Sequence, residues 1–341
     1  MVLKVFACKS THNFQYIGKN VYFCTAKLII HYNMTKKFLA LALGAMLVGI
    51  LFVSCEKENN TANTIVEQND SIPAHNPETM GFDSIGASMA CFSVDDFRQV
   101  RFSRGNLQYQ ASTDTWRFAE HQYECIGNAN ANISAAYNGW IDLFGWGTSG
   151  WNSGANAYQP WSSSITASDY YIAGDENNSF TGSYVNADWG VYNAIVQGGN
   201  RAGLWRTLTA EEWQYIFSHR DNAEQLYGFA TIDGKYHGVV ILPDNWALPE
   251  NICFTSGTQG WTINQFSLEQ WARMEEAGAI FLPAAGLRNG NFVSKINEEG
   301  LYWTSSTYYN FGKNISFREN MINPRNVHER NYGFSVRLVL R

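Results

Sequence analysis

The most reactive side chains in this 341-residue chain are six cysteines and seven histidines, and their spacing does not assemble a reaction centre. Cys91, Cys125 and Cys253 form no Cys-x-x-Cys pair and no cysteine–histidine spacing of the kind that holds zinc. His121, His219, His237 and His328 fall in no H-E-x-x-H pattern, and no G-x-S-x-G elbow is present. Each histidine is expected to pack or to sit at the surface. Gly145-Trp146-Gly147-Thr148-Ser149-Gly150 matches G-x-G-x-x-G, but Trp151-Asn152-Ser153-Gly154 follows where a phosphate loop needs a helix start. A glycine-supported turn between aromatics is the expectation. Asp175-Glu176-Asn177-Asn178-Ser179 is rich in oxygen ligands yet lacks the spacing and glycine of an EF-hand loop, so a structural calcium has no motif behind it. No metal, cofactor or catalytic residue is assigned, and the expectation is a protein that is not an enzyme.

Binding is better supported than catalysis. The run over residues 307–331 is polar, Asn-rich and Arg-containing. Its Tyr308, Tyr309, Asn310, Asn314, Arg318, Asn320, Asn323, Arg325, Asn326 and His328 are adaptable contact types of the kind paratopes use. The expectation is a polar segment between strands that forms a ligand face, with an ordinary solvated loop as the alternative. Trp140, Trp146, Trp151, Tyr158, Trp161, Tyr170 and Tyr171 offer aromatic faces to a sugar ring. Packing is their expected use, because a long glycine-rich stretch needs large side chains to order it.

Composition narrows the partner class. Lys and Arg number 24 against 30 Asp and Glu, for a net charge of -6, and no basic cluster stands out, which argues against nucleic acid. All twelve Trp lie after Cys91, and charged residues are only 16% of the chain, so the domain is built on aromatic packing. A domain of that length buries a core without metals or disulfide staples.

Four segments follow from the N-terminal quarter. Met34-Thr35-Lys36-Lys37 precedes an apolar run from Phe38 to Val53 that closes on Ser54-Cys55, the layout of an export signal over residues 34–54. The run is short for a membrane-spanning helix. Leu51-Phe52-Val53-Ser54-Cys55 resembles the lipobox of bacterial lipoproteins, with Phe52 where an aliphatic residue is usual, and the resemblance implies that Cys55 carries a diacylglyceryl thioether. Residues 1–33 read as an extension ahead of the natural start at Met34. With Cys55 acylated and the leader removed, three cysteines remain, so at most one disulfide forms among them and buried free thiols are expected. Residues 55–88 read as a flexible tether, because they hold few large apolar side chains. Glu56-Lys57-Glu58 after the cysteine resembles the surface-export signal of lipoproteins in some Gram-negative gut anaerobes. The expected location is the outer membrane, facing the periplasm or the cell surface, with the lipid bilayer as a partner through Cys55.

Residues 89–341 read as one α+β domain. Val100-Arg101-Phe102-Ser103, Asn106-Leu107-Gln108-Tyr109 and Trp116-Arg117-Phe118 look like paired strands. Thr209 with Glu212, and Ser267 with Gln270 before Gly278, mark the starts of two helices. Apolar runs at 236–243, 279–283, 301–306, 314–317 and 333–340 read as strands. Trp205-Arg206-Thr207-Leu208-Thr209-Ala210-Glu211-Glu212-Trp213, Leu282-Pro283-Ala284-Ala285-Gly286-Leu287-Arg288, Tyr302-Trp303-Thr304-Ser305-Ser306 and Gly333-Phe334-Ser335-Val336-Arg337 resemble the C-type-lectin-like fold of the formylglycine-generating enzyme class. With Phe102 to Tyr109 and Gly139 to Gly147 added, the series is similar to gut-bacterial lipoproteins of unassigned function. That enzyme class uses a cysteine pair in its C-terminal half to bind copper and activate oxygen, and this chain has only Cys253 there. The resemblance therefore implies the fold and a ligand face over 307–331, as in the variable proteins of diversity-generating retroelements, rather than the oxidase reaction. A glycan or protein ligand is the expected partner, with an adhesin or pilus-associated structural subunit as the alternative.

Overall fold

The computed structural model describes residues 81–341 apart from 152–156 and 258–259. Residues 1–33, the expected signal at 34–54, Cys55 and most of the expected tether lie outside the described residues. Among the described residues no helix is long and apolar enough to cross a membrane.

The expected tether ends too late. Asp83 accepts hydrogen bonds from the backbone N–H groups of Ile85 and Ala87 and pairs with Arg101 at 2.6 Å. Ala87 is fully buried and bridges Ser103. One carboxylate satisfying a turn and a cation orders this polar stretch without a large apolar side chain, so the fold begins before residue 89.

The fold class is α+β, with short strands in several small sheets. The strands expected around Arg104-Gly105 do not pair with each other. Instead β1 (Phe92–Ser93) pairs β2 (Gln99–Val100), and β3 (Leu107–Gln110) pairs β4 (Thr115–Phe118), with β5 (Ile195–Val196) parallel to β4. Phe102 bridges to Val339 near the C-terminus, because its fully buried ring belongs to the core under that strand. Between β4 and β5 the chain forms 3₁₀ turns and one short helix, α1 (Trp189–Tyr192), wrapped around Phe144, Trp146, Phe180 and Trp189.

The central sheet runs β10 (Ile280–Pro283), β8 (Tyr236–Ile241), β7 (Tyr227–Ile232), β9 (Asn264–Phe266). Its two faces bury different clusters. Val239, Ile241, Ile280 and Leu282 face Trp213, Ile216 and Phe217 of α2 (Ala210–Ser218), whereas Val240, Leu242 and Phe281 face Trp271 and Met274 of α3 (Leu268–Glu276). Burial on both faces explains the unbroken apolar runs of these strands. Both long helices start at capping boxes, Thr209 with Glu212 and Ser267 with Gln270, where expected. Glu212 also makes a two-pronged ion pair with Arg206 on β6 (Trp205–Thr207), at 2.7 and 2.8 Å. That pair ties the first turn of α2 to the strand before it.

Beyond α3 come β11 (Leu287–Asn289) and β12 (Phe292–Ser294), then β13 (Glu299–Tyr308), β14 (Phe311–Arg318) and β15 (Met321–Glu329) as an antiparallel meander. The chain ends in β16 (Tyr332–Gly333) and β17 (Leu338–Leu340), the latter paired with β6. The expected strand over 333–340 is thus broken, because Phe334 and Ser335 bridge to Phe144 and Tyr302.

Candidate functional site

The polar run over 307–331 is not a loop between strands but the end of β13 with all of β14 and β15. Backbone pairing across the meander absorbs its N–H and C=O groups whatever the side chains are. Register then sorts the candidate residues, since alternate side chains on a strand point to opposite faces. Tyr308 stands opposite Phe311, Phe311 opposite Glu329, and Lys313 opposite Val327. With Arg325 two residues before Val327, these side chains share one face. Lower on that face, Ile315 and Phe317 are buried against α2. The helix covers only this lower part. Above it the face is open, and Tyr308 is 53% exposed.

The other face carries Gly312 opposite His328 and Asn314 opposite Asn326. Asn314 is fully buried, and Asn326 donates its side-chain amide to the Asn314 carbonyl oxygen at 3.0 Å. His328 packs its ring on Tyr332 and Phe334, with centroids 4.0 and 5.2 Å away, and desolvation holds its pKa below the ordinary value. These three belong to the packing and not to an open surface. Tyr309 and Asn310 form the β13–β14 turn, where Tyr309 adopts φ +50° and is 63% exposed. Arg318 and Asn320 lie at the opposite end of the meander, around the β14–β15 turn. An eight-residue strand separates the two turns by roughly 25 Å, so the candidates do not form one contiguous patch.

Where α2 meets the open part of the face, Ala210, Glu211, Gln214, Lys313 and Arg325 line a depression. Lys313 Nζ pairs with Glu211 Oε1 at 3.0 Å across it. Ser306 Oγ accepts from the Ala210 N–H and fixes the helix start against β13. Partial burial pushes the Glu211 carboxyl up, but hydrogen bonds from Lys313 and neighbouring donors outweigh it and leave the group below its ordinary value. The depression thus offers a carboxylate, an amide, an ammonium and a guanidinium, and farther along the same end of the meander stands an exposed tyrosine pair, Tyr308 and Tyr309, whose rings meet edge-on at 4.7 Å. It can hold polar ligands by hydrogen bonds and charge. The residue reading missed Glu211, Gln214 and Lys313. Polar residues at 211 and 214 on a helix are indistinguishable, in sequence, from a solvated helix face.

Several of the other candidates serve the structure, and Trp151 and Tyr158 line a small cavity with Trp146 and Tyr170. Trp146 and Tyr170 are buried, Trp146 donating Nε1 to the Thr304 carbonyl at 2.9 Å and Tyr170 bonding Ser162. Trp140 lies under the Arg117 guanidinium at 3.9 Å. Gly147 and Gly150 take φ +80° and +87°, as a turn requires. Asp175 accepts from the backbone and side-chain N–H groups of Asn177, which hold its carboxyl below the ordinary value. His121 stacks on Tyr123, His219 on Tyr215 and His237 on Trp261. Cys125 and Cys253 are free thiols, Cys125 half-buried and Cys253 exposed, so the expected burial does not hold for Cys253. Burial pushes the Cys125 thiol up to about 12, which keeps it protonated. Among the described residues no group of three or more His, Cys, Asp or Glu side chains is placed to hold a metal ion.

A family model described as a domain of unknown function (DUF8237) matches residues 253–339, a stretch that runs from before β9 into β17 and contains the whole meander. No curated protein and no solved structure matches the chain.

Proposed function

We propose that this chain is an exported lipoprotein, anchored by an acylated Cys55, whose C-terminal meander captures a glycan or protein ligand. The observation that carries the reading is the half-covered sheet face, where Lys313 and Arg325 meet Glu211 and Gln214 of α2 around an open depression, with the exposed Tyr308 farther along the same face. Most large aromatics elsewhere are sealed in the core, so an exposed tyrosine pair beside unsaturated polar groups is the surface best suited to a ligand. The lipid anchor rests on the signal-like run before Cys55, and the lectin-like fold on the residue series from Trp205 to Arg337.

The test of the face is a triple substitution of Tyr308, Asn310 and Arg325 to Ala in the full chain, assayed on a glycan array and on intact cells. Ligand capture is lost while the unfolding midpoint stays unchanged. Capture equal to that of the unsubstituted protein refutes the face. For the anchor, metabolic labelling with an alkyne fatty acid marks the protein, and Cys55→Ser removes the label. Labelling that survives the substitution refutes acylation at Cys55.

A further inference from the structure

Arg330 follows β15 and is fully buried, yet no carboxylate lies within ion-pair distance of it among the described residues. A guanidinium in such a place is normally paired. Its face instead lies over the rings of Trp146 at 4.5 Å and Tyr171 at 5.0 Å. One nitrogen, Nη2, donates both to the Tyr309 carbonyl at 2.9 Å and to the Glu176 carbonyl. Two oxygens sharing one donor stand within about 6 Å of each other. The turn that carries Tyr308 and Tyr309 is therefore next to the loop that carries Asp175, Glu176 and Asn177, all three exposed, although more than 130 residues separate them in the chain.

We infer that these two segments form one composite recognition rim, held by Arg330, and that the rim takes a lysine- or arginine-bearing segment of a polypeptide partner. The inference rests on the ligand face proposed above and extends it beyond the C-terminal run. Two exposed tyrosine rings beside two carboxylates provide the electron-rich faces and negative charge that a cationic side chain needs. Glu176 has no hydrogen-bond or ion-pair partner for its carboxylate among the described residues, and the Asp175 carboxylate bonds only Asn177. The chain's own Arg330 already shows the same recognition beneath the rim, lying over Trp146 and Tyr171.

Two measurements test this. Arg330→Lys keeps the charge but loses the planar guanidinium that lies over Trp146 and Tyr171 and sets the one nitrogen, Nη2, that bonds both carbonyls. Amide hydrogen exchange is expected to rise together, by roughly tenfold or more, at residues 174–178 and 308–311, with β8 and β10 unchanged. A rise in one segment alone, or in neither, overturns the shared rim. The partner class is tested on a protein that keeps Arg330. A tetralysine peptide shifts the NMR resonances of residues 175–177 and 308–310, and Asp175→Asn with Glu176→Gln weakens its binding roughly tenfold. Shifts scattered over the acidic surface, or binding unaffected by the double substitution, overturn the class. Shifts at the same residues from a neutral oligosaccharide but not from tetralysine also overturn it, and leave the glycan reading of the face standing. Loss of ligand capture in the Tyr308, Asn310 and Arg325 variant remains a separate result, because none of these measurements depends on it.

Discussion

Asn326 donates its side-chain amide to the buried carbonyl oxygen of Asn314 at 3.0 Å, directly across the β14–β15 pair. This contact puts two of the candidate ligand residues on the closed face of the meander. Asn314→Ala and Asn326→Ala are therefore expected to lower stability, Asn314→Ala by about 1–3 kcal/mol, because a buried partner is left unsatisfied. Tyr308→Ala and Arg325→Ala, on the open face, should change stability by no more than about 0.5 kcal/mol. Urea unfolding of the four variants decides the matter, and equal losses at all four positions would contradict the facial assignment.

The Glu212 carboxylate combines four contacts at the start of α2: it accepts from the Thr209 N–H at 2.9 Å and from both terminal nitrogens of Arg206, and it pairs with Arg98 at 3.5 Å. Its side chain is nearly buried, with 5% exposed. Glu212→Gln preserves the cap and most of the shape, whereas Glu212→Ala removes cap and ion pair together and leaves Arg206 without its carboxylate. We expect Glu212→Ala to destabilise by about 2–4 kcal/mol, and Glu212→Gln by clearly less. Because α2 lines the depression, thermal unfolding and ligand capture should fall together in the Ala variant. Stable protein with lost capture would mean that Glu212 meets the ligand itself.

How much of this was readable beforehand depends on how local each signal is. The capping boxes at Thr209 and Ser267 are contained in four residues, and the apolar runs of β8 and β10 reflect burial on both faces, so those elements were legible. The meander was legible only in part: the expected strands at 301–306 and 314–317 fall within β13 and β14, whereas β15 is an Asn-rich run containing Pro324 that looks like loop, and its pairing is decided by neighbours in space. Facial assignment was further out of reach, because the ladder shifts register between Trp303 and Thr307 and again between Asn314 and Ser316. A slip of one residue exchanges the two faces. The start of the fold was missed for a similar reason: Asp83 is one polar residue among many until Arg101 is known to meet it.

Trp146 separates packing from recognition among the aromatics. Its ring stacks on Phe180 at 4.3 Å, lies under the Arg330 guanidinium, and is completely buried. Trp146→Ala should cost about 3–5 kcal/mol through the cavity it leaves. Trp146→Phe retains the stack but loses the Nε1 bond to Thr304, and about 1–3 kcal/mol is the expected loss. Chemical denaturation gives both values. A Trp146→Ala protein of ordinary stability that fails to bind sugar would restore the stacking role.

Asp142 provides a pH test of the excursion that supports the meander. It is fully buried and accepts from the Ile126 N–H at 2.8 Å and from the Asn130 side chain at 2.8 Å. Desolvation raises its pKa from 3.8 to about 6, against the pull of those hydrogen bonds. A carboxyl raised in the native state favours folding when protonated. Its contribution is complete below pH 3.8 and is lost as pH climbs through about 6, after which it stays flat. A loss on the order of 2–3 kcal/mol across that window follows from the size of the shift. Asp188, Glu275 and Glu299 are also raised by burial and add slope of the same sign. The difference between the wild-type protein and Asp142→Asn isolates the one residue. The variant starts less stable at pH 4, because an amide cannot accept at both oxygens, and its stability then falls less steeply up to pH 6.5. Parallel stability curves for the two proteins would show that Asp142 is already ionised in the fold at pH 4, and that Asn130 and the Ile126 N–H outweigh its burial.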